Sequence, residues 1–156
     1  TLADLKRRAR AAGVPVIYAN DNFGRWRSDF REIVRHVSED GVRGKPLADM
    51  LCPDDQEYFV LKPKHSAFYG TSLDLLLTHL GARTLVIGGI AGNNCVVATA
   101  TDAYMRGFRV VVPPEAIASE QRALNDAALA HMRNVLKADT RPAAELDFAA
   151  LCAGDD

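Results

Sequence analysis

This 156-residue chain is short of cysteine, short of histidine and only 7% aromatic, and its net charge is −1. Each shortage removes something. Three thiols at positions 52, 95 and 152 are odd in number and widely spaced, which rules out a disulfide framework and a zinc ribbon. A reducing, cytoplasmic setting is the expectation. A charge near zero gives no general attraction to nucleic acid or to an anionic membrane. No apolar run reaches the ~18 residues of a membrane span, and these residues hold no signal-peptide pattern. Internal repeats, low-complexity tracts and linkers are also lacking. Residues 1–156 therefore read as one domain.

What is present is an ordinary globular composition, 48% apolar and 25% charged. Residues 1–12 are predicted as a helix closed by Gly13, and 14–20 as a strand that tolerates Pro15 near its start. A polar stretch follows, with a helix over 29–38 capped by Ser28 and a short helix over 46–51. "YFVLK" at 58–62 is the next strand. Thr71 and Asp74 have capping-box spacing before "LDLLLTHL", which Gly81 ends. Strand 84–88, helix 94–106 and strand 108–112 come next. Ser119 is expected to cap a helix whose Leu124, Ala128, Met132 and Leu136 make one stripe. An edge strand over 137–141 and a last helix from Pro142 to near Cys152 complete the chain. This alternation is the pattern of an α/β protein: a doubly wound parallel sheet with helices on both faces. Ligands in such sheets bind beyond the carboxyl ends of the strands.

One stretch carries a chemical suggestion. In "RTLVIGGIAGNNCVVATA", residues 83–100, a buried strand runs through glycines 88, 89 and 92 into a helix that opens near Cys95. Free amides and the dipole at a helix start favour thiolate over thiol. Glycines let the backbone approach a ligand and aim N–H groups into a small space. A nucleophile with inward amides is the minimum for acyl transfer. Two other readings stay open. Cys95 could be a small buried hydrophobe. Alternatively, the glycines could cradle a pyrophosphate with Glu115 on a ribose, although "GGIAGNN" does not spell G-x-G-x-x-G. Cys52 and Cys152 read as structural.

Three segments together, "YANDNFGRW", "LKPKHSAFYGTSLDLLL" and "LVIGGIAGNNCVVATATDAYMRGFRVVVPPEAIAS", resemble the isochorismatase-like cysteine hydrolases, whose members include nicotinamidases and N-carbamoylsarcosine amidohydrolases. The resemblance runs from about residue 1 to 140. It implies a six-stranded parallel sheet in the order 3-2-1-4-5-6 and an Asp–Lys–Cys triad. Cys95 matches the nucleophile, and Lys62 matches the lysine in preference to Lys64. A cis peptide at Ile90–Ala91 is implied as well, a bond that costs about 3–4 kcal/mol where it is not enforced. The backbone N–H groups of Ala91 and Cys95 would form the oxyanion hole. Phe23, Trp26, His65, Phe68 and Asn94 are the predicted pocket residues, with arginines 25, 27, 31 and 35 near them.

Departures from the family are informative. Gly92 stands where a threonine is frequent. Metal-binding nicotinamidases have an Asp–x–His pair where this chain has Asp21–Asn22–Phe23, and His36, His65, His79 and His131 make no cluster with it. No metal and no cofactor are therefore expected. The triad Asp belongs on a first, central strand with no counterpart here. The expectation is that an N-terminal segment carrying it is missing from this sequence. Asp21 acting as base is the alternative. The implied activity is hydrolysis of a C–N bond in a small amide or carbamoyl substrate through a thioester, by a homo-oligomer. The competing classes are a non-catalytic binding member of the same fold and a dinucleotide-binding domain.

Overall fold

The computed structural model describes residues 1–23, 29–39 and 41–153. Over them, helix and strand alternate as α1 (Leu2–Ala11), β1 (Ile17–Asp21), α2 (Phe30–Val37), α3 (Lys45–Met50), β2 (Tyr58–Lys62), α4 (Leu73–His79) and β3 (Thr84–Val86). Then come β4 (Gly89–Ile90), α5 (Val97–Met105), β5 (Arg109–Val111), β6 (Ile117–Ala118), α6 (Arg122–Asn134) and α7 (Phe148–Ala153). All three ladders are parallel, as expected of strands joined through helices. β1 runs beside β2 from Ile17–Tyr58 to Asp21–Lys62, β3 beside β5 from Thr84–Arg109 to Val86–Val111, and β4 beside β6. Among the described residues no ladder joins the β1–β2 ribbon to β3–β5.

Consecutive residues of β5 show how the layers form. Side chains on a strand alternate faces, so Val110 and Val112 enter one core with Phe68, Leu77, Ala100 and Met132 from the α4–α6 side. Val111 enters the other, with Leu5 and Ala9 of α1 and Phe148 and Leu151 of α7. A strand buried on both faces must be apolar there, which is what the valines at 110–112 supply, while Arg109 at the strand's start is exposed. No helix among the described residues is long and apolar enough to cross a membrane.

Several boundaries differ from the sequence reading, each for a local reason. Asp29 caps α2, its carboxylate accepting the Arg31 N–H at 2.8 Å, while Ser28, the cap expected from the sequence, lies outside the described residues. Ser119 does not cap α6, because the ladder with β4 holds the chain extended through Ala118, and the helix starts only at Arg122. In the predicted stripe, Leu124 is exposed while Ala128, Met132 and Leu136 are buried. Steps of four residues overshoot the helical repeat by about 40° each, so one end of such a stripe turns off the face. The expected capping box does not form: Ser72 is the cap position, Thr71 accepts the Leu73 N–H, and Asp74 pairs with Arg106 at 3.3 Å. The predicted edge strand reduces to a single Val111–Asp139 bridge. The last helix begins after a short turn at Ala143–Glu145, where the Asp147 carboxylate accepts the N–H groups of Ala149 and Ala150.

Candidate active site

β1 and β2 end together, with Asp21 opposite Lys62. Period-two alternation points Lys62, like Val60, inward, so its ammonium lies where water does not reach: the side chain is 4% exposed. A buried charge needs a partner. Lys62 has two, donating to the Asp21 carboxylate and, at 3.5 Å, to Cys95 Sγ. Lys64, two residues on, is exposed.

Cys95 is half-buried. It lies in a single π-helical turn, Gly92–Val96, that precedes α5, rather than in the first α-helical turn the sequence suggested. Such turns recur at functional sites. The N–H groups of Asn94 and Val96 both donate to the Ala91 carbonyl at 3.1 Å, folding residues 91–96 on themselves. The Ile90–Ala91 peptide is cis. Ser119 holds the outer side of the turn, taking the Asn93 N–H at 3.1 Å and donating to Asn125 Oδ1 at 2.9 Å.

The glycines serve this packing. A Cβ on Gly92 would meet Asn125 Oδ1 at 2.4 Å and Ser119 Oγ at 3.1 Å, and one on Gly88 would meet the Leu2 side chain at 2.6 Å and the Ala116 carbonyl at 2.9 Å. Protein groups therefore occupy the space that the pyrophosphate reading needed at these two glycines. Glu115, the candidate ribose ligand, is committed to the Ala143 N–H at 3.1 Å.

The other predicted site residues fare differently. Asn94 adjoins Cys95 and is exposed, as are His65 and Phe23, the last with φ 52°. Phe68 is buried. Its ring is in the core, 6.0 Å from that of Phe108 and under the Arg106 guanidinium at 4.6 Å, because residues 66–68 fold back against α5. Trp26 and arginines 25 and 27 lie outside the described residues. Among the described residues no three His, Cys, Asp or Glu side chains converge as metal ligands. An apolar hollow of about 230 Å³ between Leu2, Leu47, Met50, Ile90 and Ile117 is lined by neither Lys62 nor Cys95. Sequence reasoning missed the structural use of Asp21. The sequence signal was only that two predicted strand regions end in Asp21 and Lys62; their pairing in register is a fact of the folded sheet.

A lysine at the end of one strand is thus aimed at a thiol in the turn after another. The family model described as Isochorismatase domain matches residues 1–141. The chain belongs to the isochorismatase family. It is 44% identical over 138 residues to the "uncharacterized isochorismatase family protein YaaI" of Bacillus subtilis, covering 88% of this chain and 75% of that protein. With N-carbamoylsarcosine amidase of an Arthrobacter species it shares 32% identity over 125 residues, covering 72% of this chain but only 46% of that relative. The crystal structure of N-carbamoylsarcosine amidase from Thermoplasma acidophilum superposes with a TM-score of 0.73 at 30% identity, over 94% of this chain and 82% of that one. The parallel α/β architecture is thus that of isochorismatase-family proteins.

Proposed function

We propose that this isochorismatase-family chain is a cysteine amidohydrolase that cleaves the C–N bond of a small amide or carbamoyl compound. The observation that carries the reading is the 3.5 Å contact from Lys62 Nζ to Cys95 Sγ at the carboxyl ends of the strands. The amidase names of two relatives support the reaction class. A carboxylate base takes the thiol proton, and the Lys62 ammonium holds the sulfur's charge. Sulfur attacks the carbonyl carbon, and the carbonyl oxygen takes the electron pair, facing the Ala91 and Cys95 N–H groups. Collapse breaks the C–N bond, and the nitrogen leaves with the proton returned by the acid. Water then adds to the thioester, the C–S bond breaks, and the acid and thiol are released.

The base is expected on a central strand supplied from outside these 156 residues, giving the order 3-2-1-4-5-6. The unjoined β1–β2 and β3–β5 ribbons support that placement. A second reading, with Asp21 as the base, is favoured by its contact with Lys62. Homo-oligomeric assembly is part of the proposal and is checked by sedimentation.

The deciding experiment measures ammonia release by the full-length protein, central strand included, from N-carbamoylsarcosine, nicotinamide and a panel of simple amides. Cys95→Ala and Lys62→Met each lower turnover of any substrate found by about 10⁴-fold or more with folding unchanged. Turnover that survives Cys95→Ala overturns the assignment. No turnover by the wild type across the panel favours the non-catalytic binding reading. Asp21→Asn separates the two bases: loss as deep as Cys95→Ala makes it the base, and a partial loss makes it the partner that orients Lys62.

A further inference from the structure

Nothing local keeps Lys62 beside Cys95, since one ends β2 and the other lies in a turn 33 residues later. Thr99, one turn beyond the cysteine in α5, spans the two segments. Its hydroxyl donates to the Cys95 carbonyl at 2.7 Å, and the same oxygen accepts the Ala67 N–H at 3.0 Å. A hydroxyl carries one proton, so with the carbonyl as acceptor the Ala67 amide must be the donor, and both roles are settled. A threonine bonding back to the carbonyl four residues earlier is common in helices. The second bond is not local. It fastens the loop that leaves Lys62, and Ala67 is 2% exposed, so its N–H has no water to turn to.

Neighbours reinforce the same junction. Ser66 Oγ bonds the Asp102 carboxylate, which lies three residues along α5 from Thr99, and accepts the Phe68 N–H at 3.2 Å. Asp102 is held in turn by Arg106 at 2.9 Å. The loop after β2 is thereby gripped along one face of α5, with Thr99 as the link nearest the sulfur. Among the described residues, the charged groups linked to that sulfur by hydrogen bonds are Lys62 from β2 and, through it, Asp21 from β1.

We propose that Thr99 is a positioning residue: one hydroxyl joins the nucleophile's carbonyl to the Lys62 loop and so sets the distance between ammonium and sulfur. The inference rests on the Lys62–Cys95 pairing of the preceding section. It is tested in the full chain carrying Cys52→Ser and Cys152→Ser, where the rate of iodoacetamide alkylation reads Cys95 alone and needs no substrate. Thr99→Val lowers that rate about tenfold, the scale of a slightly misplaced reactive group. Thr99→Ser, which keeps both bonds, restores the parent rate. Lys62→Met also lowers the rate, and adding Thr99→Val to it costs less than about twofold more, because the two act through one contact. Should valine disturb folding, seen as a collapse of Tm, Thr99→Ala gives the same reading.

A parent rate in both Thr99→Val and Thr99→Ala overturns the inference. So does a full tenfold penalty in the Lys62→Met background. Either result, with Lys62→Met still slow, leaves the amidohydrolase reading standing. A parent rate in Lys62→Met removes the pairing itself, and both readings with it.

Discussion

The β1–β2 ribbon carries a lysine cluster at each end, and the two do opposite things. At the start of the ribbon, Lys6 reaches over from α1 and donates to Tyr18 Oη at 2.8 Å, to the Cys52 carbonyl at 2.6 Å and to the Glu57 carboxylate at 2.8 Å. Three protons meet three oxygens, and Arg10 adds a bridge to Asp54. Burial works against the Lys6 charge, but the bonds to Glu57 and Tyr18 outweigh it and raise its pKa. The result is a clamp that fixes α1 and the 52–57 segment. At the far end, Lys62 meets one carboxylate and one sulfur. Sulfur is a weak acceptor and a strong nucleophile, so the same kind of cation, set against it, orients a reactive group rather than closing a polar network. The acceptor and the strand end decide the role.

The sharpest way to break this contrast is to remove each lysine. Lys62→Met should abolish amide turnover while leaving Tm close to that of the wild type. Lys6→Met should leave turnover per folded molecule unchanged but lower stability by about 3 kcal/mol, because the buried Glu57 loses its close partner and keeps only the longer pairing with Arg10 at 3.7 Å. Urea unfolding and ammonia assays on the two variants check both halves. Equal loss of turnover in the two would erase the distinction.

A smaller effect is expected from Gly92→Ala. The new methyl would press on Asn125 and Ser119, costing about 1–3 kcal/mol by overpacking. If these contacts position the nucleophile turn, Cys95 alkylation should slow as well. Gly88→Ala should cost similar stability, since the Ala116 carbonyl it meets is backbone and cannot swing aside.

The smallest effect is in the pH response of the clamp. Lys6 is raised above its ordinary 10.5. Its contribution is therefore complete below about that pH and is lost as pH rises through the folded-state value. Tyr18, raised chiefly by burial from its ordinary 10.0, acts in the same direction, since folding favours its neutral form. Tm should fall more steeply above about pH 10.5 in the wild type than in Lys6→Met. Parallel curves would show that the clamp does not titrate.

Much of this was legible before folding was considered. The strand 58–62, the helix closed by Gly81 and the strand–turn–helix around Cys95 follow from apolar period and from glycine stops, both properties of neighbours within a few residues. Caps were less legible. Asp29 caps α2 because the chain is extended there, at φ −108° and ψ 131°, a backbone choice that residue type alone does not reveal. The packing of Phe68 against Phe108 was hidden for a similar reason: a motif names a residue without saying which way its loop folds. The three glycines were read as room for a ligand, whereas at positions 88 and 92 the room is filled by the protein.

Sequence alone determined the alternation of strand and helix, and it placed a lysine and a cysteine at strand ends, because those features depend on contacts a few residues apart. Tertiary structure decided that Asp21 meets Lys62 across 41 residues and that Lys62 meets Cys95 across 33. Such meetings depend on register and layer packing, which no local pattern encodes.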